Sequence, residues 1–252
     1  VERALWRKTS VAAEYLLQRS VHTLRTRDVN APRPDTGARP DPMRLNVFQI
    51  ESSGTTRTDA LSLTFRGRLA GFRGTMQYTL SRTIDDASNV FDLPADNYDL
   101  AAEHARADYD RRHRVNVAGA YGWKKDRLRV GSVLAVFSGA PFDIVTGSDT
   151  NHDLVVNDRP AGITRNAGDG PAYAQLDLRF TAVFRAPRPP SSDPESAKRE
   201  QVDNLELNLD LFNATNRVNP TTFVGVVTSP LFGRANAARP ARSAQLSLRY
   251  RF

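Results

Sequence analysis

The segment that most constrains this chain is its last stretch, residues 244–252. Leu246, Leu248, Tyr250 and Phe252 alternate there with Gln245, Ser247, Arg249 and Arg251. A period of two over a whole segment specifies a β-strand with two unlike faces. One face is apolar and ends in two aromatic rings. A strand of a transmembrane β-barrel has this form, because alternate residues face lipid and aromatics gather at the membrane interface. The stripe Leu246, Leu248, Tyr250 and Phe252 is therefore expected to be lipid-facing.

The same pattern recurs upstream. In residues 205–211 four leucines take one face and Glu206, Asn208 and Asp210 the other. A soluble sheet could also alternate, with its leucines on a core, so recurrence decides. A partial strand is expected at 1–5, a turn at 6–9 and a long strand at 10–27. The long strand carries Val11, Ala13, Tyr15 and Leu17 on one face, and from residue 21 it turns polar, as if projecting above a membrane. After a loop at 30–42 and a short extension at 45–50, residues 60–69 and 72–82 form a hairpin about Ala70 and Gly71. Further strands are expected at 112–123, 127–137, 172–184, 204–213 and 244–252, which makes about nine in all with the partial one, of roughly the length needed to cross a bilayer at a tilt. A short helix is expected at 100–107.

The connections separate into two kinds. One end of the strands carries the long segments 28–59, 83–111, 138–171 and 214–242. The other carries turns at 6–9, Ala70-Gly71 and Lys124-Lys125-Asp126, with one Pro-rich insertion at 185–202. Short periplasmic turns opposite long external loops are the asymmetry of outer-membrane barrels. The expected fold is thus all-β: an antiparallel up-and-down transmembrane β-barrel, of which residues 1–252 supply the C-terminal portion.

Composition fits this reading without forcing it. Mean hydropathy is −0.48, but lumen positions and loops dilute the signal of a barrel. No apolar run approaches the roughly 20 residues of a membrane helix. The chain has no cysteine, which excludes disulfides and thiolate metal sites. The net charge is +7. The arginines are spread over strands and loops, so a nucleic-acid partner is not expected. The chain opens on Val1 with no export signal, and it is expected to be the C-terminal piece of a longer protein.

Several motifs together resemble one family. They are Tyr78-Thr79-Leu80-Ser81-Arg82 with Asp85-Asp86, Tyr109-Asp110-Arg111-Arg112-His113-Arg114, Ser138-Gly139-Ala140-Pro141-Phe142, Asn157-Asp158-Arg159-Pro160 and Leu211-Phe212-Asn213-Ala214-Thr215-Asn216. They resemble the C-terminal barrel region of TonB-dependent receptors, especially the Oar-like type with an N-terminal carboxypeptidase-regulatory-like domain. The resemblance runs along the whole chain. It implies a 22-stranded barrel with a plug, energised by TonB through the plug, which this chain does not contain. It also implies that the terminal strand is the signal read by the barrel-assembly machinery.

Candidate sites are few. Asp149, Asn151 and Asp153 place oxygen ligands at alternate positions, as in a calcium loop, and the resemblance suggests a metal-like acidic loop here. However, Leu154 stands where the turn glycine belongs and Pro160 where the bidentate glutamate would be. The alternative is a polar loop held by Asx turns. The basic run 110–114 could take an anion or anchor a strand end by ion pairs. Asp177, Arg179, Glu206, Asp210, Arg249 and Arg251 are expected to face the lumen, where they could bind solute or pair across strands. The four histidines have no metal-ligand spacing. Nothing resembles a nucleophile elbow, so no enzyme is expected and no resident cofactor beyond that calcium. The expected function is uptake of a bulky or scarce ligand. The rivals are a complete small barrel with a structural or adhesion role and a soluble β-sandwich binding module.

Overall fold

The computed structural model describes residues 2–6, 9–69, 71–123, 126–187 and 202–251. The strands are β1 (Glu2–Trp6), β2 (Thr9–Asp28), β3 (Phe48–Leu69), β4 (Phe72–Asp85), β5 (Ala105–Arg106), β6 (His113–Trp123) and β7 (Leu128–Phe137). They continue as β8 (Pro141–Phe142), β9 (Gly168–Asp169), β10 (Tyr173–Pro187), β11 (Val202–Phe212), β12 (Pro220–Phe223), β13 (Ala235–Ala238) and β14 (Ser243–Arg251). The main sheet runs in the order β1-β2-β3-β4-β6-β7-β10-β11-β14, with β5 attached to β4. Every neighbouring pair on that path is antiparallel. Among the described residues this is an up-and-down meander, and no pairing joins β1 to β14.

Register turns the local alternation into two continuous surfaces. One row reads Val11, Phe65, Met76, Val117, Leu134 and Leu176 from β2 to β10. Another reads Phe72, Tyr121, Val130, Phe180, Leu209 and Leu246 from β4 to β14. The opposite face is polar along rows such as Thr181, Asn208 and Ser247. A slip of one residue would mix the two faces, so the pattern specifies the pairing. The row through Phe72 starts beside a turn yet reaches the middle of β14. Strands are therefore staggered, as the tilt of a barrel wall requires.

Two glycines explain the β3–β4 turn and its surroundings. Gly71 has φ of 86°, and a Cβ there would meet the Tyr121 ring at 2.5 Å. Gly119 lies beneath the Phe72 ring, where a Cβ would come within 2.1 Å. The ring thus covers a gap that a side chain would otherwise fill.

Some expectations need correction. Strands β2 and β3 are 20 and 22 residues long, far more than one crossing needs. The segment 48–59, expected to belong to the long connection 28–59 with a short extension at 45–50, joins the 60–69 strand because its backbone pairs with β2 as far as Phe48, with register shifts between Val21 and Leu24. The helix expected at 100–107 is one 3-10 turn, Ala101–Glu103, followed by β5. Val1, the turn residues Arg7, Lys8, Ala70, Lys124 and Lys125, most of the Pro-rich insertion and Phe252 lie outside the described residues.

Burial is inverted relative to a soluble domain. Large apolar side chains on the sheet face outward, with Leu246 at 69% and Leu248 at 66% exposure. The buried side chains are mostly polar and belong to the long connections or the strand ends beneath them, among them Asp28, Asp85, Glu103, Asp153 and Arg165.

Candidate functional site

The four long connections, residues 29–47, 86–112, 138–172 and 213–242, lie at one end of the sheet and are tied to one another. We number them loops 1 to 4. The centre is loop 3, which supplies two buried arginines. Arg165 pairs with Asp85 at the end of β4 and donates to the carbonyl oxygens of Asp85 at 3.0 Å and Glu103 at 3.3 Å. It also reaches Ser88 at 3.0 Å and Asp108 at 3.4 Å. Arg159 forks onto Glu103 at 2.5 and 3.1 Å and onto Asp143 at 3.2 and 3.3 Å. A buried carboxylate is tolerated only when paired and hydrogen-bonded, and these two guanidiniums supply that pairing for loop 2. Asn166 adds donors to the Arg106 carbonyl at 2.8 Å and to Asp108 at 2.6 Å.

Loop 1 is held by short polar side chains. Asn30 donates to the carbonyls of Asp41, Arg44 and Leu45, while Asp28 accepts from the amides of Asn30 and Val47. Asn97 of loop 2 bridges outward, accepting from the Asp28 amide at 2.7 Å and donating to Asp153 at 3.2 Å. Loop 4 joins loop 3 through a short parallel bridge between Val145 and Val226 and a stack of Phe142 on Phe223 with centroids 5.2 Å apart. Asn219 is 1% exposed and clamps loop 4 to β10 by bonding both the amide and the carbonyl of Ala174.

A cleft of about 490 Å³ opens between loops 2, 3 and 4. Its walls include Asp92, Asp108, Arg111, Phe142, Thr222 and Phe223. Burial pushes the Asp92 carboxyl above the usual carboxylate range, and Asp108 adds to the effect. Burial also lowers the Arg111 guanidinium, with Arg114, Arg239 and Arg106 as like-charged neighbours. The cleft thus offers a cation, carboxyl groups, hydroxyls and an aromatic surface. It can hold and orient a polar ligand, and its lining contains no nucleophile–base pair.

The sequence-predicted residues fall in four places. Asp149, Asn151 and Asp153 lie in loop 3. Asp149 accepts from the amides of Asp153 and Leu154, Asn151 from the Asp153 amide, and Asp153 from the Val155 amide. Burial pushes the Asp153 carboxyl up. On the polar sheet face Arg179 forks onto Asp210 at 2.5 and 3.0 Å, and Glu206 meets Arg129 at 3.3 Å. Arg249 stands opposite Glu206, and Arg251 opposite Asn204. Asp177 accepts from Gln175 and from the Asn213 amide, which anchors the start of loop 4. Leu246, Leu248 and Tyr250 share the apolar face. In the basic run, Asp110 pairs with Arg106 at 3.2 Å, and His113 shares a hydrogen bond with Tyr78 at 2.9 Å. Sequence reasoning did not single out Arg165, Asp85 and Glu103 as one site. No local signal could, since their partners lie 57–80 residues apart.

A family model described as an outer membrane beta barrel domain matches residues 1–245. Among solved structures, the outer membrane transporter YddB from Escherichia coli is similar with a TM-score of 0.58 at 11% identity. That likeness is one of fold. It covers 98% of this chain and 30% of the transporter. A search of curated proteins finds no match.

Proposed function

The chain belongs to the outer membrane β-barrel domain family, and on that premise we propose that it forms the C-terminal wall of a TonB-dependent receptor that takes up a bulky or scarce ligand. Its place is the bacterial outer membrane. The observation that carries the uptake reading is the loop platform. Buried ion pairs brace loops 2 and 3, loop 1 is tied to them by hydrogen bonds and loop 4 by a short bridge and a ring stack, and a polar and aromatic cleft opens between loops 2, 3 and 4 at one mouth of the sheet. A purely structural barrel has little use for so much buried charge in its loops, whereas a receptor needs rigid external loops to hold a ligand. The similarity of nearly all of this chain to under a third of a transporter supports a wall built from further strands.

In this reading the ligand meets the cleft first, and the paired charges of the polar face line the route. TonB acts through the N-terminal plug, and the C-terminal strand β14 is presented to the barrel-assembly machinery. The decisive test is the coding frame upstream of Val1. Further alternating strands, a plug-like domain and a signal peptide are the expected result. A start codon and signal peptide immediately upstream would make the chain a self-contained small barrel, and active uptake would be withdrawn. Deleting Phe252 tests the assembly role: undiminished insertion into the outer membrane would remove it.

The Asp149–Asp153 turn is proposed as a clasp for loop 3. Its acceptor oxygens already receive N–H donors, which is the arrangement of Asx turns.

A further inference from the structure

The apolar face of β2, β3 and β4 does not fade into its polar upper part; it ends abruptly in arginines. Climbing that face, one row reads Tyr15, Leu61 and Leu80. The next reads Leu17, Asp59 and Arg82, and the one above it Arg19, Arg57 and Ile84. Period-two geometry puts all of these on the side that carries the apolar stripe. Arg19, Arg57 and Arg82 line one cleft of about 520 Å³, together with Asp59, Ile84 and His104.

Charge in this cleft is unbalanced. Asp59 is the lone carboxylate of its lining. It is occupied by Arg57 at 2.8 and 3.3 Å and by the Tyr15 hydroxyl at 2.8 Å. Among the described residues Arg19 and Arg82 have no carboxylate within 4 Å, and both are exposed. Their height is informative. From Phe72 to Leu80 the apolar stripe of β4 covers about 26 Å along the strand at roughly 3.3 Å per residue. A tilt of about 40° reduces this to about 20 Å, close to the apolar band of an outer-membrane barrel. Arg82 and Arg19 therefore stand just above that band, at head-group depth and on the lipid side.

We propose that this cleft binds the phosphate of an anionic lipid of the outer leaflet. Arginine is suited to the task because its planar fork takes two phosphate oxygens at once and is weakly hydrated. Leu61 and Leu80 in the row below Arg82, and Leu17 in the row below Arg19, give the acyl chains an apolar wall, so head group and tail are met by adjacent rows. A soluble anion would use only the upper half of this arrangement. The proposal rests on the lipid-facing side of the sheet and stands apart from the uptake reading.

The test uses the full chain, purified in detergent and in vesicles. Native mass spectrometry and a flotation-based binding assay would compare phosphatidic acid, phosphatidylcholine and inorganic phosphate. The wild type is expected to retain phosphatidic acid in preference to phosphatidylcholine and to ignore inorganic phosphate at equal concentration. R19Q/R82Q is expected to weaken phosphatidic acid binding at least about tenfold, the scale of losing a charge-assisted hydrogen bond. R19K/R82K should bind at an intermediate level, since lysine keeps the charge but loses the fork. R68Q/R73Q, which removes two arginines from the opposite face, should bind like wild type and shows whether charge alone matters. Heat-modified gel mobility would confirm that each variant is folded. Undiminished lipid binding in R19Q/R82Q, an equal loss in R68Q/R73Q, or equal occupancy by inorganic phosphate would each overturn the proposal.

Discussion

Replacing Arg165 with alanine is expected to release loops 2 and 3 while leaving the strands intact. Arg165 is 5% exposed and its partner Asp85 only 1%. Removing one member of a buried pair costs about 3–5 kcal/mol, because the other charge is stranded. Glu103 would keep Arg159, which approaches it at 2.5 Å, so the loss falls on Asp85 and, less, on the exposed Asp108. The lower end, about 3 kcal/mol, is therefore expected. At about 1.4 kcal/mol per tenfold, that is roughly a hundredfold rise in loop opening. Hydrogen exchange of the full chain in detergent reads it directly, as lost protection in peptides spanning 83–110 and 143–170. Adding Asp85→Asn to Arg165→Ala should recover part of the protection, since no buried charge then remains unpaired. An increase below about threefold, or an equal increase in β10 and β11, would refute the idea that buried pairing holds the platform.

Three further outcomes follow from the same structure. Val117→Arg, in the middle of the apolar stripe, should cost about 2–4 kcal/mol in urea unfolding from vesicles, and Gln77→Arg on the opposite face less than about 0.5; equal costs would mean that the faces are assigned wrongly. Burial alone would push the Asp86 carboxyl up, but hydrogen bonds from His104 and Thr55 outweigh it and hold that carboxyl below its ordinary range. The tie is therefore fully present above about pH 4 and is lost as pH falls through the lowered value, so amide protection at Thr55 should be flat from pH 7 to 5 and decline below 4. Calcium titration of the full chain should give no heat at millimolar ion, and a clear binding isotherm lost in Asp149→Asn would reinstate a calcium site.

The strands were legible because their signal is local. Leu205 to Leu211, or Phe72 to Leu80, declare two faces without reference to any other part of the chain. Loop lengths declared which end of the sheet carries the platform. The upper half of β3 was not legible, because polar residues such as Thr55, Thr56 and Thr58 alternate with nothing apolar and join the sheet only through pairing with β2 and β4. Asp149, Asn151 and Asp153 illustrate the converse. Their spacing was visible, but the direction of their bonding depends on which amides the loop brings to them.

The sequence by itself determined the all-β class, the two-faced strands and the asymmetry of the connections, since each is a property of neighbours along the chain. Only the tertiary structure decided which charges meet. Arg165 reaches Asp85 across 80 residues, and Arg19, Arg57 and Arg82 share one cleft because strand register aligns three separate segments. Pairing over such separations is set by sheet register and loop packing, and no short-range pattern encodes it.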